Sequence, residues 1–121
     1  MAGKLVHVEF PVQDPDGATT FYGGVFGWEL KDSGMPDVDY RMAQTGEDQG
    51  VAVYKGDAGS RGPIIYFDTD DIDATIAKVR EQGGEADDKQ PIPSIGWFAA
   101  CKDPEGSPFS LYQRDESAMP Q

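Results

Sequence analysis

The hydrophobic pattern of the chain begins with a strand of alternating side chains and continues into a helix. Between Leu5 and Val12, apolar residues alternate with His7 and Glu9, which predicts a strand with one buried face. The Asp14-Pro15 pair then predicts a helix start, with an acidic cap and a proline in the first turn. Apolar residues follow at helical spacing, and Gly27 ends the helix.

Three short strands are predicted to complete this first half of the chain. They are separated by clusters of Gly, Pro and Asp typical of turns, and they cover Trp28–Lys31, Tyr40–Gln44 and Val51–Lys55. The polar, glycine-rich segment Lys55–Gly62 is then predicted to connect two halves, since it is too short to be a linker between domains.

After the connector, the same order of elements is predicted a second time. It begins with a strand, Ile64–Thr69, followed by a helix that Asp71 caps and the Gly83-Gly84 pair ends. Three more strands follow, over Glu85–Ile92, Ile95–Cys101 and Phe109–Arg114.

The two halves keep a constant offset. The separation in sequence between the helix caps, Asp14 and Asp71, equals that between the helix stops, Gly27 and Gly84. The same offset places Ser110 at the position of Val53 in the closing strand. A preserved offset indicates an internal repeat, so we predict an α+β fold with two β-α-β-β-β modules. With 121 residues the chain is predicted to be one domain, residues 1–121, with modules at about 4–55 and 63–114.

Charge and cysteine content narrow the partners and the compartment. The 22 acidic and 10 basic residues give a net charge of −12, which repels nucleic acid and anionic membranes. No stretch is apolar enough to span a membrane. A single cysteine, Cys101, excludes an intramolecular disulfide, so the cytoplasm is the expected location.

Two segments resemble the vicinal-oxygen-chelate superfamily, which includes glyoxalases, extradiol dioxygenases and bleomycin- and fosfomycin-resistance proteins. The segments are Phe21–Glu29 and Asp103–Leu111, and the resemblance extends from about Lys4 to Arg114. It implies that eight strands form a half-open mixed sheet around a concave cleft with the helices outside. It also implies that two chains pair as a homodimer.

In metal-dependent members of this superfamily, the first and last strands of each half supply the ligands of a divalent ion. At those places this chain has His7, Ile64, Val53 or a neighbour, and Ser110. Only the histidine is a typical ligand, and one imidazole is too few for a stable site. We therefore expect no cofactor. The alternative is a weak divalent site at His7, with Glu9 on the same face of the strand or Asp68 across the cleft as a further ligand.

The expected inner face is an apolar basin with a few polar groups, which is typical of sites for small molecules. Aromatic rings on it suit a small apolar or aromatic ligand. The candidate ligand-binding residues are Tyr66, Asp68, Trp97, Ser110 and Tyr112.

His7 and Glu9 are the candidate catalytic residues. A histidine beside a carboxylate suits a general base, with a tyrosine as donor to the developing oxyanion, but the same pair also occurs as a structural hydrogen bond. Three functions follow: a metal-free small-molecule-binding protein of the bleomycin-resistance type, a lyase or isomerase of the glyoxalase type, or a non-catalytic dimerising subunit. The tail from about Glu116 onward is expected to be unstructured.

Overall fold

A computed structural model describes residues 2–56 and 62–119 of the chain. In these residues, nine strands and two helices follow one another in two modules, a β-α-β-β-β module and a second one with one strand more. The first module contains β1 (Leu5–Val12), α1 (Pro15–Phe26), β2 (Lys31–Asp32), β3 (Tyr40–Gly46) and β4 (Gln49–Lys55). The second contains β5 (Ile64–Asp68), α2 (Ile72–Glu81), β6 (Glu85–Ala86), β7 (Gln90–Ile92), β8 (Gly96–Lys102) and β9 (Pro108–Arg114). The predicted α+β class with a repeated module is confirmed.

The chain divides into two compact units that follow the modules closely. Val6–Ile64 forms one unit, and the second module together with the N-terminal residues up to Leu5 forms the other. The predicted connector Lys55–Gly62 lies largely outside the described residues. No helix in the described part of the chain is long and apolar enough to cross a membrane.

In the first module the strands lie in the order β2, β3, β4, β1. β1 and β4 run parallel, while the other neighbours are antiparallel. The helix between them begins as predicted, because the Asp14 carboxylate accepts a hydrogen bond from the Gly17 amide at 3.1 Å. It ends at Gly27, which adopts the left-handed conformation with φ 73°.

The core of the first module lies between its sheet and α1. Alternate residues of β1 face this core, where they pack with Val51 and Val53 of β4, Leu30, and side chains of α1. These β1 residues are Val8, Phe10 and Val12. Because side chains of a strand alternate between its two faces, His7 and Glu9 lie on the face opposite the helix.

The second module repeats this arrangement, with β5 parallel to β9 and β8 antiparallel to β9. Asp71 caps α2 by accepting from the Ala74 amide at 3.1 Å. The core under α2 contains two residues of the helix, Ile72 and Ile76, and alternate residues of the strands. The strand residues are Trp97, Ala99, Cys101 and Leu111.

Two sequence expectations for the second module are wrong. The predicted strand Glu85–Ile92 is two strands, because one extra residue lies between the pairing of Ala86 with Cys101 and that of Gln90 with Phe98. The tail is also ordered up to Met119, the last residue described. Ala118 is fully buried in the core under α2, and its carbonyl accepts a hydrogen bond from Ser94.

Candidate functional site

The first module presents a polar patch on the sheet face opposite α1. The strand register places His7 beside Gly50 and Glu9 beside Ala52. On the next strand, Tyr40 lies two residues from the position paired with Ala52, so it projects from the same face. The two candidate catalytic residues are therefore joined there by a tyrosine that the sequence analysis did not single out.

These three side chains form a continuous hydrogen-bonded chain. The Tyr40 hydroxyl donates to Oε2 of Glu9 at 2.7 Å, and Nε2 of His7 lies 2.8 Å from the same hydroxyl oxygen. Residues two apart on one strand face have Cα atoms about 6 to 7 Å apart. The tyrosine hydroxyl bridges that gap.

Burial and ring contacts define the environment of His7. The imidazole lies nearly parallel to the Tyr40 ring, with 6.4 Å between the ring centroids, and Tyr40 stacks in turn on Tyr54 at 6.0 Å. Burial lowers the pKa of His7 from 6.5 to about 4, because the surroundings solvate the imidazolium poorly. The imidazole is therefore neutral at physiological pH.

The second module presents four of the five candidate ligand-binding residues on one face of its sheet. Tyr66 pairs with Ser110, and Asp68 pairs with Tyr112. The residues between them in sequence face the core, as shown by Leu111, so all four lie on the face away from α2. Burial raises the pKa of the Tyr112 hydroxyl, and the charge of Asp68 raises it further, which keeps this phenol protonated.

Trp97, the fifth candidate, does not lie with the other four. It is 9% exposed and packs in the core under α2 with Ile72. Its indole Nε1 donates to Asp115 at 3.0 Å, and the Lys89 ammonium lies 4.6 Å from its ring centroid. These contacts account for the burial and orientation of Trp97 without a ligand.

Cys101, the single cysteine, faces the same core. Burial raises the pKa of its thiol to about 11, so the thiolate that nucleophilic catalysis requires is scarce at neutral pH. Its position in the packed core under α2 suits an inert structural thiol.

The position assigned to Val53 by the repeat requires a correction. Glu9 and Tyr66 are separated in sequence by the same offset as the helix caps, but Tyr66 pairs with Ser110 while Glu9 pairs with Ala52. The counterpart of Ser110 is therefore Ala52, and the closing strands have slipped by a single position relative to the opening strands. Since such a slip exchanges the two faces of a strand, Val53 points into the core.

The sequence of the chain matches the model of a known protein family. The model described as Glyoxalase/Bleomycin resistance protein/Dioxygenase superfamily matches residues 4–111. The chain belongs to this superfamily. The resemblance drawn from Phe21–Glu29 and Asp103–Leu111 is thereby confirmed.

The curated proteins that are similar to this chain include bacterial and plant proteins. "Putative glyoxylase CFP32" of Mycobacterium bovis is 35% identical over 115 residues, covering 90% of this chain and 43% of the relative. "Lactoylglutathione lyase GLX1" of Arabidopsis thaliana is 29% identical over 134 residues, covering 97% of this chain and 46% of the relative. The chain thus spans less than half the length of these two relatives.

Solved structures agree on the fold. Methylmalonyl-CoA epimerase from Mycobacterium tuberculosis aligns with a TM-score of 0.74 at 19% sequence identity, covering 93% of this chain and 88% of the epimerase. At that identity the agreement establishes the shared architecture of the superfamily and carries no activity over to this chain.

The residues at the metal positions of the superfamily do not fit a divalent ion. With the corrected register these positions hold His7, Ala52, Ile64 and Ser110, of which one is an imidazole and none a carboxylate. Nε2 of His7 already lies within hydrogen-bonding distance of Tyr40. In residues 2–56 and 62–119, no group of three or more His, Cys, Asp or Glu side chains is arranged to hold a metal ion.

Proposed function

We propose that this chain is a small-molecule-binding protein of the glyoxalase/bleomycin-resistance type that acts without a bound metal ion. The observation that carries the proposal is the hydrogen-bonded chain of His7, Tyr40 and Glu9. His7, the one residue at the family's metal positions that is a typical metal ligand, is hydrogen-bonded there to the Tyr40 hydroxyl. A neutral imidazole, a phenol and a carboxylate with stacked aromatic rings form a polar and aromatic surface, as small-molecule sites commonly do.

The charge of the protein favours an uncharged ligand. With a net charge of −12, the chain repels polyanionic molecules over long range. The stacked rings of Tyr40 and Tyr54 are aromatic surface of the kind against which an apolar or aromatic molecule packs. We further propose that Tyr66, Asp68, Ser110 and Tyr112 form a ligand-contacting surface on the second module's own sheet face; the same role for Trp97 receives no support from its buried position.

Metal analysis of the purified protein tests the metal-free part of the proposal. We expect less than about one tenth of an equivalent of divalent ion, because stable sites require three or more protein ligands. The matched control is His7→Ala. A nearly stoichiometric ion in the wild-type protein that is lost in His7→Ala would refute the proposal.

A thermal-shift screen tests the binding part. The panel consists of phenols, indoles and other small uncharged aromatic compounds, with methylmalonyl-CoA as a polyanionic comparison. A ligand that binds the native state raises Tm as its concentration exceeds its Kd, and Tyr40→Phe should reduce that rise. Failure of every aromatic compound, or a Tm rise confined to the CoA ester, would contradict the proposal.

The second candidate function is a lyase or isomerase with His7 as general base. The hydrogen-bonded link to Glu9 favours it, since a proton taken up by His7 has a route to a carboxylate through Tyr40. The low pKa of His7 weighs against it, because a base with a pKa of about 4 has little proton affinity at neutral pH. Deuterium incorporation from D2O into a bound ligand, abolished in His7→Ala, would favour this function over simple binding.

We also propose a cytoplasmic homodimer. The outer face of α1 exposes Phe21, Val25 and Phe26 by 56 to 60%, and an uncharged surface is where two chains of net charge −12 repel least. Sedimentation equilibrium of the wild type against Phe21→Ser, with Ile95→Ser as a matched exposed control, tests the pairing. A wild type that stays monomeric at micromolar concentration and high salt would exclude it.

A further inference from the structure

The hydrogen-bonded chain of the first module has a direction. A carboxylate only accepts hydrogen bonds, and a phenol carries a single proton. With that proton donated to Glu9, the oxygen of Tyr40 has only lone pairs for His7. The bond between His7 and Tyr40 therefore requires a proton on Nε2 of the imidazole.

We infer that Glu9, acting through the Tyr40 hydroxyl, holds His7 in its Nε2-protonated tautomer, so that Nδ1 is the hydrogen-bond acceptor of the imidazole. Glu9 and Tyr40 are positioning residues in this arrangement. They set which nitrogen of His7 carries the proton, as second partners of histidines commonly do.

The second nitrogen of the ring, Nδ1, lies on the side of Gly50. A Cβ added at Gly50 would approach it to 3.6 Å. The imidazole is neutral at physiological pH because burial disfavours its charged form. A neutral ring has one donor and one acceptor nitrogen, so fixing one nitrogen fixes the other.

The consequence concerns ligand chemistry and rests on the proposed function. Any group that bonds to Nδ1, whether from the chain or from a ligand, has to be a donor. A ligand hydroxyl or amide N–H suits that atom, whereas a ligand carbonyl or carboxylate oxygen does not. Among aromatic ligands that reach Nδ1, phenols and indoles should therefore bind better than their methylated ethers and N-methyl forms.

Nitrogen-15 NMR of the imidazole tests the tautomer in the ligand-free protein. The chain has one histidine, so the spectrum contains one pair of imidazole nitrogens. At neutral pH we expect Nε2 at the shift of a protonated nitrogen and Nδ1 far downfield, at that of an unprotonated one. A proton found on Nδ1 would overturn the inference without any variant.

Two variants test the cause. In Glu9→Gln the amide can donate as well as accept, so the hydrogen bonds between His7, Tyr40 and residue 9 can run in either direction. Both tautomers of His7 should then be populated, and the two nitrogen shifts should move toward each other. Tyr40→Phe should give the same convergence by removing the acceptor of Nε2. The matched controls Glu85→Gln and Tyr22→Phe should leave both shifts unchanged.

The outcomes separate this inference from the proposed function. Unchanged nitrogen shifts in both folded variants, judged from their amide spectra, would overturn the inference. An Nε2-protonated wild type whose shifts converge in the variants would support it even if no compound in the thermal-shift panel bound. A binding phenol with an Nδ1-protonated histidine would support the function alone.

Discussion

The two modules share an order of elements but differ in how they use their helices and exposed sheet faces. In the first, the helix buries only Pro15 fully, and the core is formed largely by strand residues such as Val53. In the second, α2 contributes two buried isoleucines, Ile72 and Ile76. The helix thus contributes buried isoleucines to the core of the second module, whereas the helix of the first module contributes fewer large buried side chains.

The two modules also differ in the sheet faces that point away from their helices. The first module has a connected set of titratable groups, His7, Tyr40 and Glu9. On the face away from α2, the second has hydroxyls and one carboxylate, among them Tyr66 and Ser110. Because the two modules share an order of elements, the chemistry of each face follows from its local side chains rather than from the repeat.

Truncation of the helix anchor should have the largest effect on stability. Ile72 is 1% exposed, and Ile72→Ala should lower the free energy of unfolding by roughly 2 to 5 kcal/mol through lost burial and a residual cavity. Val53→Ala, which removes one carbon atom fewer, should cost about 2 kcal/mol. Denaturant unfolding measures both. A smaller effect at Ile72 than at Val53 would break the contrast between the cores.

The exposed Ile95 provides the control for this truncation. It is 52% exposed in the same module, so Ile95→Ala should change the free energy of unfolding by at most about 0.5 kcal/mol. A loss as large as that in Ile72→Ala would show that the effect is not specific to the buried anchor.

Acidification should destabilise the protein through the first module. The pKa of His7 is 6.5 when unfolded and about 4 when folded, so the unfolded chain binds the proton more readily. The free energy of unfolding is therefore unaffected by His7 above pH 6.5 and falls as the pH is lowered toward 4. The full loss is on the order of 3 kcal/mol.

His7→Gln isolates this contribution, because glutamine does not titrate. Subtracting the pH profile of the variant removes the carboxylates, including Asp39 and Asp115, whose lowered pKa values place their effects at lower pH. Equal slopes for wild type and variant between pH 6.5 and 4 would show that His7 is not buried as a neutral group.

Much of this fold follows from local sequence signals. The alternation from Leu5 to Val12 predicts the bounds of β1 as observed, and the cap chemistry of Asp14 and Asp71 predicts both helix starts. These signals are local because a strand face and a helix cap each depend on residues only a few positions apart.

What the sequence did not predict depends on pairing between distant segments. Tyr40 meets His7 across 33 positions of sequence, in a register that only the paired strands fix. The repeat offset equates Ser110 with Val53 instead of Ala52, because the offset changes by one residue in the closing strand. Ala118 is buried against the core under α2. No pattern within the tail itself indicates that contact.

The helix caps should show that the modules are equivalent at their helix starts. Each carboxylate accepts one amide hydrogen bond at 3.1 Å, so Asp14→Ala and Asp71→Ala should each lower the free energy of unfolding by about 1 kcal/mol. Asp14→Asn and Asp71→Asn, which keep an acceptor, should retain most of it. A difference of more than about 1 kcal/mol between the two alanine variants would mean that one helix start is held by other contacts.

The smallest effect should come from the glycines of α1, which have no counterpart within α2. Gly24 is exposed, and nothing lies within 4 Å of a Cβ added there, so Gly24→Ala should raise the free energy of unfolding by about 0.5 to 1 kcal/mol. Gly23→Ala should gain less, because its Cβ would lie 3.3 Å from the Trp28 carbonyl oxygen. Denaturant unfolding with a protein concentration series separates helix propensity from effects on chain pairing. A loss of stability in Gly24→Ala that grows with protein concentration would show that Gly24 lies in a contact between chains. A gain that is the same at every protein concentration would confirm that the low helix propensity of glycine weakens α1.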